Sequence, residues 1–178
     1  PDQVREIYEV RGVLEAEAAR FACDRIPAAL LDEFSDEFID QLSHPSNGRP
    51  WARRVWESDC SLHESIAAHC GNSRLTEEIR RYGNFVQAIR ETVGNRDRAQ
   101  EGAIREHLDI LKAMKRHDST AAATAMRNHI TIAGNAAVTA MVQSFNCICQ
   151  TSCSVAYSVF LNLLSGNRGM LVLIVLTL

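Results

Sequence analysis

The chain has 178 residues, of which 46% are hydrophobic and 23% charged, with a formal net charge of −3 and a pI of about 6.1. This balance suits one globular domain with a sizeable core. It does not suit a domain that grips nucleic acid by itself, because such domains carry a basic footprint and no dense Lys/Arg run occurs here.

With only 4 Pro and 9 Gly, long stretches are free to be helical. In the segment 4–26, Val4, Ile7, Val10, Leu14, Ala18, Phe21 and Ala22 recur at three- and four-residue steps, which predicts an amphipathic helix. Pro27 ends it and opens a second helix over 28–42, with Leu31, Phe34, Phe38 and Leu42 on one face. "SHPSNGRP" (43–50) reads as a loop. A third helix runs from about Trp51 to Cys70, with Gly71-Asn72 as its stop. A fourth covers 74–93, with Leu75, Ile79, Phe85, Val86 and Ile89 on one side. Gly83 inside it costs about 1 kcal/mol against Ala and marks either a kink or a close packing. "GNRDRAQ" (94–100) is a break before a fifth helix over 103–117. Asp118 or Ser119 caps a sixth over 120–145. No strand pattern competes, so the expected fold is all-α: an antiparallel bundle of six to seven helices.

Residues 146–178 hold one charged residue, Arg168. "MLVLIVLTL" at the end is too short to cross a bilayer, which needs about 20 residues. The pieces read as a core helix plus a strand-like tail, a partner-facing surface, or sequence foreign to the domain. The expected division is therefore a helical domain over 1–145 and an apolar segment of uncertain role over 146–178. The start at Pro1 suggests a fragment or a processed chain, and no secretory signal pattern is visible. The six cysteines form no disulfide framework, and the expected setting is reducing and cytoplasmic. Cys147, Cys149 and Cys153 match no common zinc spacing.

Asp59 and His63 lie at i and i+4 and share a helix face. His107 and His129 fall on the fifth and sixth helices. Two readings are open. Asp59 and His63 are a solvated hydrogen-bonded pair beside two unrelated histidines, or all four converge on a metal in the bundle, as His and carboxylate groups on facing helices do. Such a set suits Zn²⁺, Ni²⁺, Mn²⁺ or Fe²⁺ better than Ca²⁺. His69 and His117 sit at helix ends, where a histidine favours the helix dipole, and His44 is in the loop. Trp51 and Trp56 read as core.

Three stretches carry a resemblance. They are "IYEVRGVLEAEAARFAC" (7–23), with Tyr8, Glu9, Arg11, Leu14 and Glu15; "DCSLHESIAAHCGNSRL" (59–75); and "REHLDILKAMKRHDSTAAATAMRNH" (105–129). In order and spacing they resemble the effector-binding FCD domain of the FadR subfamily of GntR transcriptional regulators, over about residues 5–145. The resemblance implies a divalent metal held by Asp59, His63, His107 and His129, and a small carboxylate effector anchored on it. It also implies a homodimer. Arg11 is either a second anchor for the carboxylate or an ion-pair partner of Glu15. The winged helix-turn-helix that precedes this domain in the family has no counterpart here, so DNA is expected to be bound only through that absent part. The resemblance points to a regulator, not an enzyme. Two rivals remain: a metal-dependent hydrolase with Glu64 or Glu106 as general base, and a metal-free oligomerisation module. No membrane association is expected.

Overall fold

The computed structural model describes residues 2–45, 49–93 and 97–164, with side chains described over 2–45, 50–89 and 100–143. Six helices follow one another: α1 (Asp2–Ala22), α2 (Ala28–Ser43), α3 (Arg49–His69), α4 (Ser73–Val93), α5 (Asp97–Lys115) and α6 (Ser119–Leu164). The expected all-α bundle is what forms, and no strand occurs among the described residues. The chain divides into two compact units, Pro1–Thr139 and Ala140–Leu178.

Local chemistry sets the corners. Gly71 takes φ +75° just past α3, the left-handed conformation glycine adopts without penalty. Asn72 Oδ1 then accepts from the Leu75 N–H at 3.1 Å and caps α4. α5 ends on His117 at φ 55°, with Asp118 N bonded to Ala113 O at 3.1 Å and His117 N to Met114 O at 2.9 Å. This is the paired pattern of a Schellman stop, here without glycine. Asp118 Oδ1 accepts from the Ala121 N–H at 2.9 Å, so Asp118 is the cap of α6.

Within the first unit, α3 is the hub: it packs on α1, α2, α4 and α5, while α1 also meets α4 and α2 meets α5. Phe38, Leu62, Ile66, Ile104, Ile110, Met114, Met126 and Ile130 fill the interior. α6 reaches α1 through glycine: Ile130 lies 3.6 Å from a Cβ placed on Gly12, and Tyr8 Cβ only 2.8 Å from one placed on Gly134. Tyr8 Cβ is anchored to its own backbone and cannot swing aside. Gly134→Ala should therefore lower stability by about 1–3 kcal/mol, despite a helix-propensity gain of about 1 kcal/mol. A urea denaturation curve at or above wild type would show that α1 and α6 are not in this contact.

Four expectations need correction. α5 begins at Asp97, not near 103, because Arg98, Ala99, Gln100 and Glu101 are good helix formers. α6 continues through residue 146 to Leu164 rather than giving way to separate pieces; no Gly or Pro interrupts it after Gly134. The terminal "MLVLIVLTL" lies outside the described residues. On α1, Val10 is exposed, while Arg11 and Glu15 are buried, so the inward face carries an ion pair where the hydrophobic pattern placed a valine. On α4, Phe85 is exposed, and a Cβ on Gly83 would meet nothing within 4 Å, so Gly83 marks no close packing. No described helix is long and apolar enough to cross a membrane.

Candidate metal centre

α3 supplies Asp59 and His63 one turn apart, α5 supplies His107, and α6 supplies His129. One ligand atom from each lies within 4.8 Å of all the others. Asp59 Oδ1 is 3.0 Å from His107 Nε2 and 3.4 Å from His63 Nε2. His129 Nε2 is 3.2 Å from His107 Nε2 and 3.3 Å from His63 Nε2. The Asp59 Oδ1–His129 Nε2 diagonal is 3.9 Å. With metal–nitrogen bonds of about 2.1 Å, neighbouring ligands stand about 3.0 Å apart in an octahedron and about 3.4 Å apart in a tetrahedron. The observed edges fall in that range.

The opposite side of two rings explains why the set fits a cation. His63 Nδ1 faces Glu15 Oε2, and His129 Nδ1 faces Glu106 Oε2 at 2.8 Å. Each carboxylate holds the proton on Nδ1, so that the neutral ring offers its Nε2 lone pair, the orientation that metal-binding histidines need. Two neutral imidazoles so oriented would aim lone pairs at each other across 3.3 Å. A cation between them removes the repulsion. His107 is fixed differently, by stacking on Phe38 at 5.0 Å, and its buried Nδ1 has no hydrogen-bond partner among the described residues.

Electrostatics point the same way. Burial pushes the His107 imidazole down. Burial, and then its His107 and His63 neighbours, push His129 down further. Burial also opposes charge on His63, but Glu15 and Asp59 outweigh it and raise that imidazole to about 9. Asp59 stays ionised well below the usual carboxylate range, against its burial, because His107 and His63 donate to it. For Glu15, Arg11 and His63 overcome burial and hold the carboxyl at about 2. In the absence of a metal, the cluster keeps its positive charge on His63.

Arg11 donates through Nε to Glu15, so the ion-pair reading of Arg11 holds. Arg11 also lines a cavity of about 530 Å³ beside the cluster. α1 contributes Arg11 and Glu15; α3 contributes Trp56, Asp59, Cys60, His63 and Glu64; α4 contributes Ile79, Arg80, Gly83, Asn84, Val86 and Gln87. Arg80 Nε donates to Glu64 at 2.8 Å, linking α3 to α4 at one end of this cavity. Of the two suggested bases, Glu64 is thus tied up at the surface, and Glu106 is engaged in orienting His129.

The remaining predicted residues fall elsewhere. His69 Nδ1 meets Ser65 O at 2.8 Å, His117 Nδ1 meets Asp24 Oδ1 at 3.2 Å, and His44 meets Asp40 at the end of α2. Trp51 is core and donates to Gln41 O, whereas Trp56 lines the cavity. Cys23, Cys60 and Cys70 form no disulfide among the described residues; the side chains of Cys147, Cys149 and Cys153 lie outside those described. Sequence reasoning named Glu15 only as a partner for Arg11 and Glu106 only as a base; their contacts with His63 and His129 span 48 and 23 residues and leave no local signal.

No curated protein matches the chain. The family model of the FCD domain, the C-terminal domain of GntR-family (FadR-like) regulators, matches residues 6–132, a span that contains all four clustered residues. The chain belongs to the FCD domain family.

Proposed function

We propose that this chain is the ligand-sensing and dimerisation domain of a GntR/FadR-type transcriptional regulator. It holds a divalent metal through Asp59, His63, His107 and His129 and takes a small carboxylate effector in the adjoining cavity. The observation that carries this reading is the convergence of four donor atoms within 4.8 Å, two of them from Asp59 and His63, which line a cavity that Arg11 also lines.

The donor set of three imidazoles and one carboxylate suits Zn²⁺, Ni²⁺, Mn²⁺ or Fe²⁺. Such a metal, when bound, supplies open coordination positions for a carboxylate oxygen. The chain's own residues do the rest. Glu15 and Glu106 keep the Nε2 atoms of His63 and His129 aimed inward. A guanidinium carries five N–H donors, so the Glu15 bond leaves others on Arg11 for the same carboxylate, in a charge-assisted contact. In the homodimer proposed here, effector binding controls DNA binding by a winged helix-turn-helix domain attached ahead of this one. It does so only as far as the effector binds one arrangement of the paired domains better than another.

A panel of small organic acids tests this. At a hundredfold excess over its Kd, an effector should raise the melting temperature of the metal-loaded protein by about 5–10 °C. The same acid should do little after chelation. A panel that shifts nothing in the metal-loaded form would count against the sensor.

A further inference from the structure

Among the described residues, the buried side-chain atoms without a hydrogen-bond partner are Gln41 Oε1, both amide atoms of Gln100, and His107 Nδ1. Gln41 is 2% exposed and His107 0%. A buried polar group without a partner costs free energy, so each needs a reason. His63 has Glu15 behind its ring and His129 has Glu106. His107 has no carboxylate in that place.

The register of α2 against α5 brings two of these atoms to one level. Phe38 stacks on His107, and Asp32 pairs with Lys115 at 2.7 Å, so the two helices run antiparallel. Gln41 lies one turn past Phe38, about 4.5 Å along the axis. That is the level of the turn before His107 on α5. Side chains lean toward the N-terminus of their own helix. The Gln41 amide therefore leans back toward the ring, and the ring leans toward the amide. Gln100 stands about 10 Å further back along α5 and leans away.

The contact with α3 fixes which amide atom is free. Gln41 Nε2 donates to Ser58 Oγ at 2.7 Å, and Ser58 directly precedes Asp59. The Ser58 hydroxyl gives its single proton to Glu37 Oε1 or Arg54 O, a carboxylate and a carbonyl that only accept. It must therefore accept from Gln41, which puts the amide nitrogen at Ser58 and leaves Oε1, an acceptor, unpaired. When His107 Nε2 gives its lone pair to a metal, the neutral ring carries its proton on Nδ1. An unpaired acceptor then faces an unpaired donor along the seam of α2 and α5. Without metal the proton is on Nε2, which donates to Asp59, and Nδ1 is itself an acceptor. A water serves Nδ1 in both states, because it turns to donate or to accept; an amide oxygen set directly on Nδ1 could not.

We infer that Gln41 is the positioning residue of His107: its Oε1 accepts from one buried water, and that water accepts the His107 Nδ1 proton when the metal is bound. This rests on the reading of the cluster as a metal centre, and it gives the third ring the support that Glu15 and Glu106 give the other two.

The test uses the full chain with Zn²⁺ as the probe, as wild type, Gln41→Met and Gln41→Glu. Chelator competition measures affinity, and NMR of the imidazole nitrogens and their protons reports on each ring. Gln41→Met removes both amide atoms at similar length and should weaken Zn²⁺ by about 10–100-fold. Gln41→Glu also loses the amide donor to Ser58 but keeps an acceptor, and should hold Zn²⁺ as tightly as wild type. The His107 Nδ1 proton should resonate downfield, as a hydrogen-bonded N–H, in Zn²⁺-loaded wild type and Gln41→Glu. In Gln41→Met it should move upfield while those of His63 and His129 stay in place. Equal losses of affinity in both variants would mean that Gln41 acts through Ser58 and packing, and would overturn the assignment. Undiminished affinity in Gln41→Met would overturn it as well. If either variant fails to fold, the wild-type spectrum decides alone: a His107 Nδ1 proton at the position of an unbonded imidazole N–H overturns the water bridge. Failure of wild type to bind Zn²⁺ would remove the metal centre itself, and this inference with it.

Discussion

Replacing His107 with alanine is expected to abolish stoichiometric metal binding. His107 is fully buried, and its Nε2 stands 3.0 Å from Asp59 Oδ1 and 3.2 Å from His129 Nε2. No other described histidine can take its place: His69, His117 and His44 are engaged at helix ends. Changing a residue that only orients a ligand already costs about 10–100-fold in metal affinity, so loss of a ligand should exceed a hundredfold. Elemental analysis after gel filtration checks this, with His44→Ala as the control that keeps its metal. The stabilisation conferred by the metal, about 4 kcal/mol at a thousandfold excess over Kd, should vanish with it. Unchanged metal in His107→Ala, in a variant that still folds, would mean that the cluster is not the binding site.

The four clustered residues were legible because each sits on a helix and all four fall within two stretches of characteristic spacing, 59–75 and 105–129. Asp59 and His63 share a face by helix geometry alone. Their meeting with His107 and His129 rests on packing between helices, which spacing cannot supply and the family resemblance did. The carboxylates behind the rings were not legible as such. Glu15 looks like the i+4 partner of Arg11, and it is; its second oxygen serves His63 on another helix. Hydrophobic periodicity misread the same stretch, since an Arg–Glu pair that neutralises itself can occupy an inward face that the pattern reserves for apolar residues. The boundaries of α5 and α6 were missed for a related reason. A charged run and an uncharged run both look like a change of structure, but neither breaks a helix unless Gly or Pro does.

Glu15 carries the second large effect. Its carboxylate is buried between the Arg11 guanidinium and the His63 imidazole, both of which are themselves largely buried. Glu15→Ala leaves the Arg11 charge buried and unpaired and should cost about 3–5 kcal/mol. The exposed Arg53–Glu57 pair has the same i, i+4 spacing, and its removal should cost about 0–1 kcal/mol. Arg11→Ala should cost less than Glu15→Ala, since Glu15 keeps His63 as a partner. The double variant should cost less than the sum of the two, by about 0.5–3 kcal/mol, because each single change also strands what the other would remove. Urea denaturation of the metal-free proteins measures all four corners of this cycle. Glu15→Gln separates fold from site: it keeps an oxygen for the His63 Nδ1–H but loses the charge, and should weaken metal by about 10–100-fold in a chelator competition. If the two single changes simply added, Arg11 and Glu15 would not act as a unit. If Glu15→Gln held metal as tightly as wild type, His63 would be oriented by packing alone.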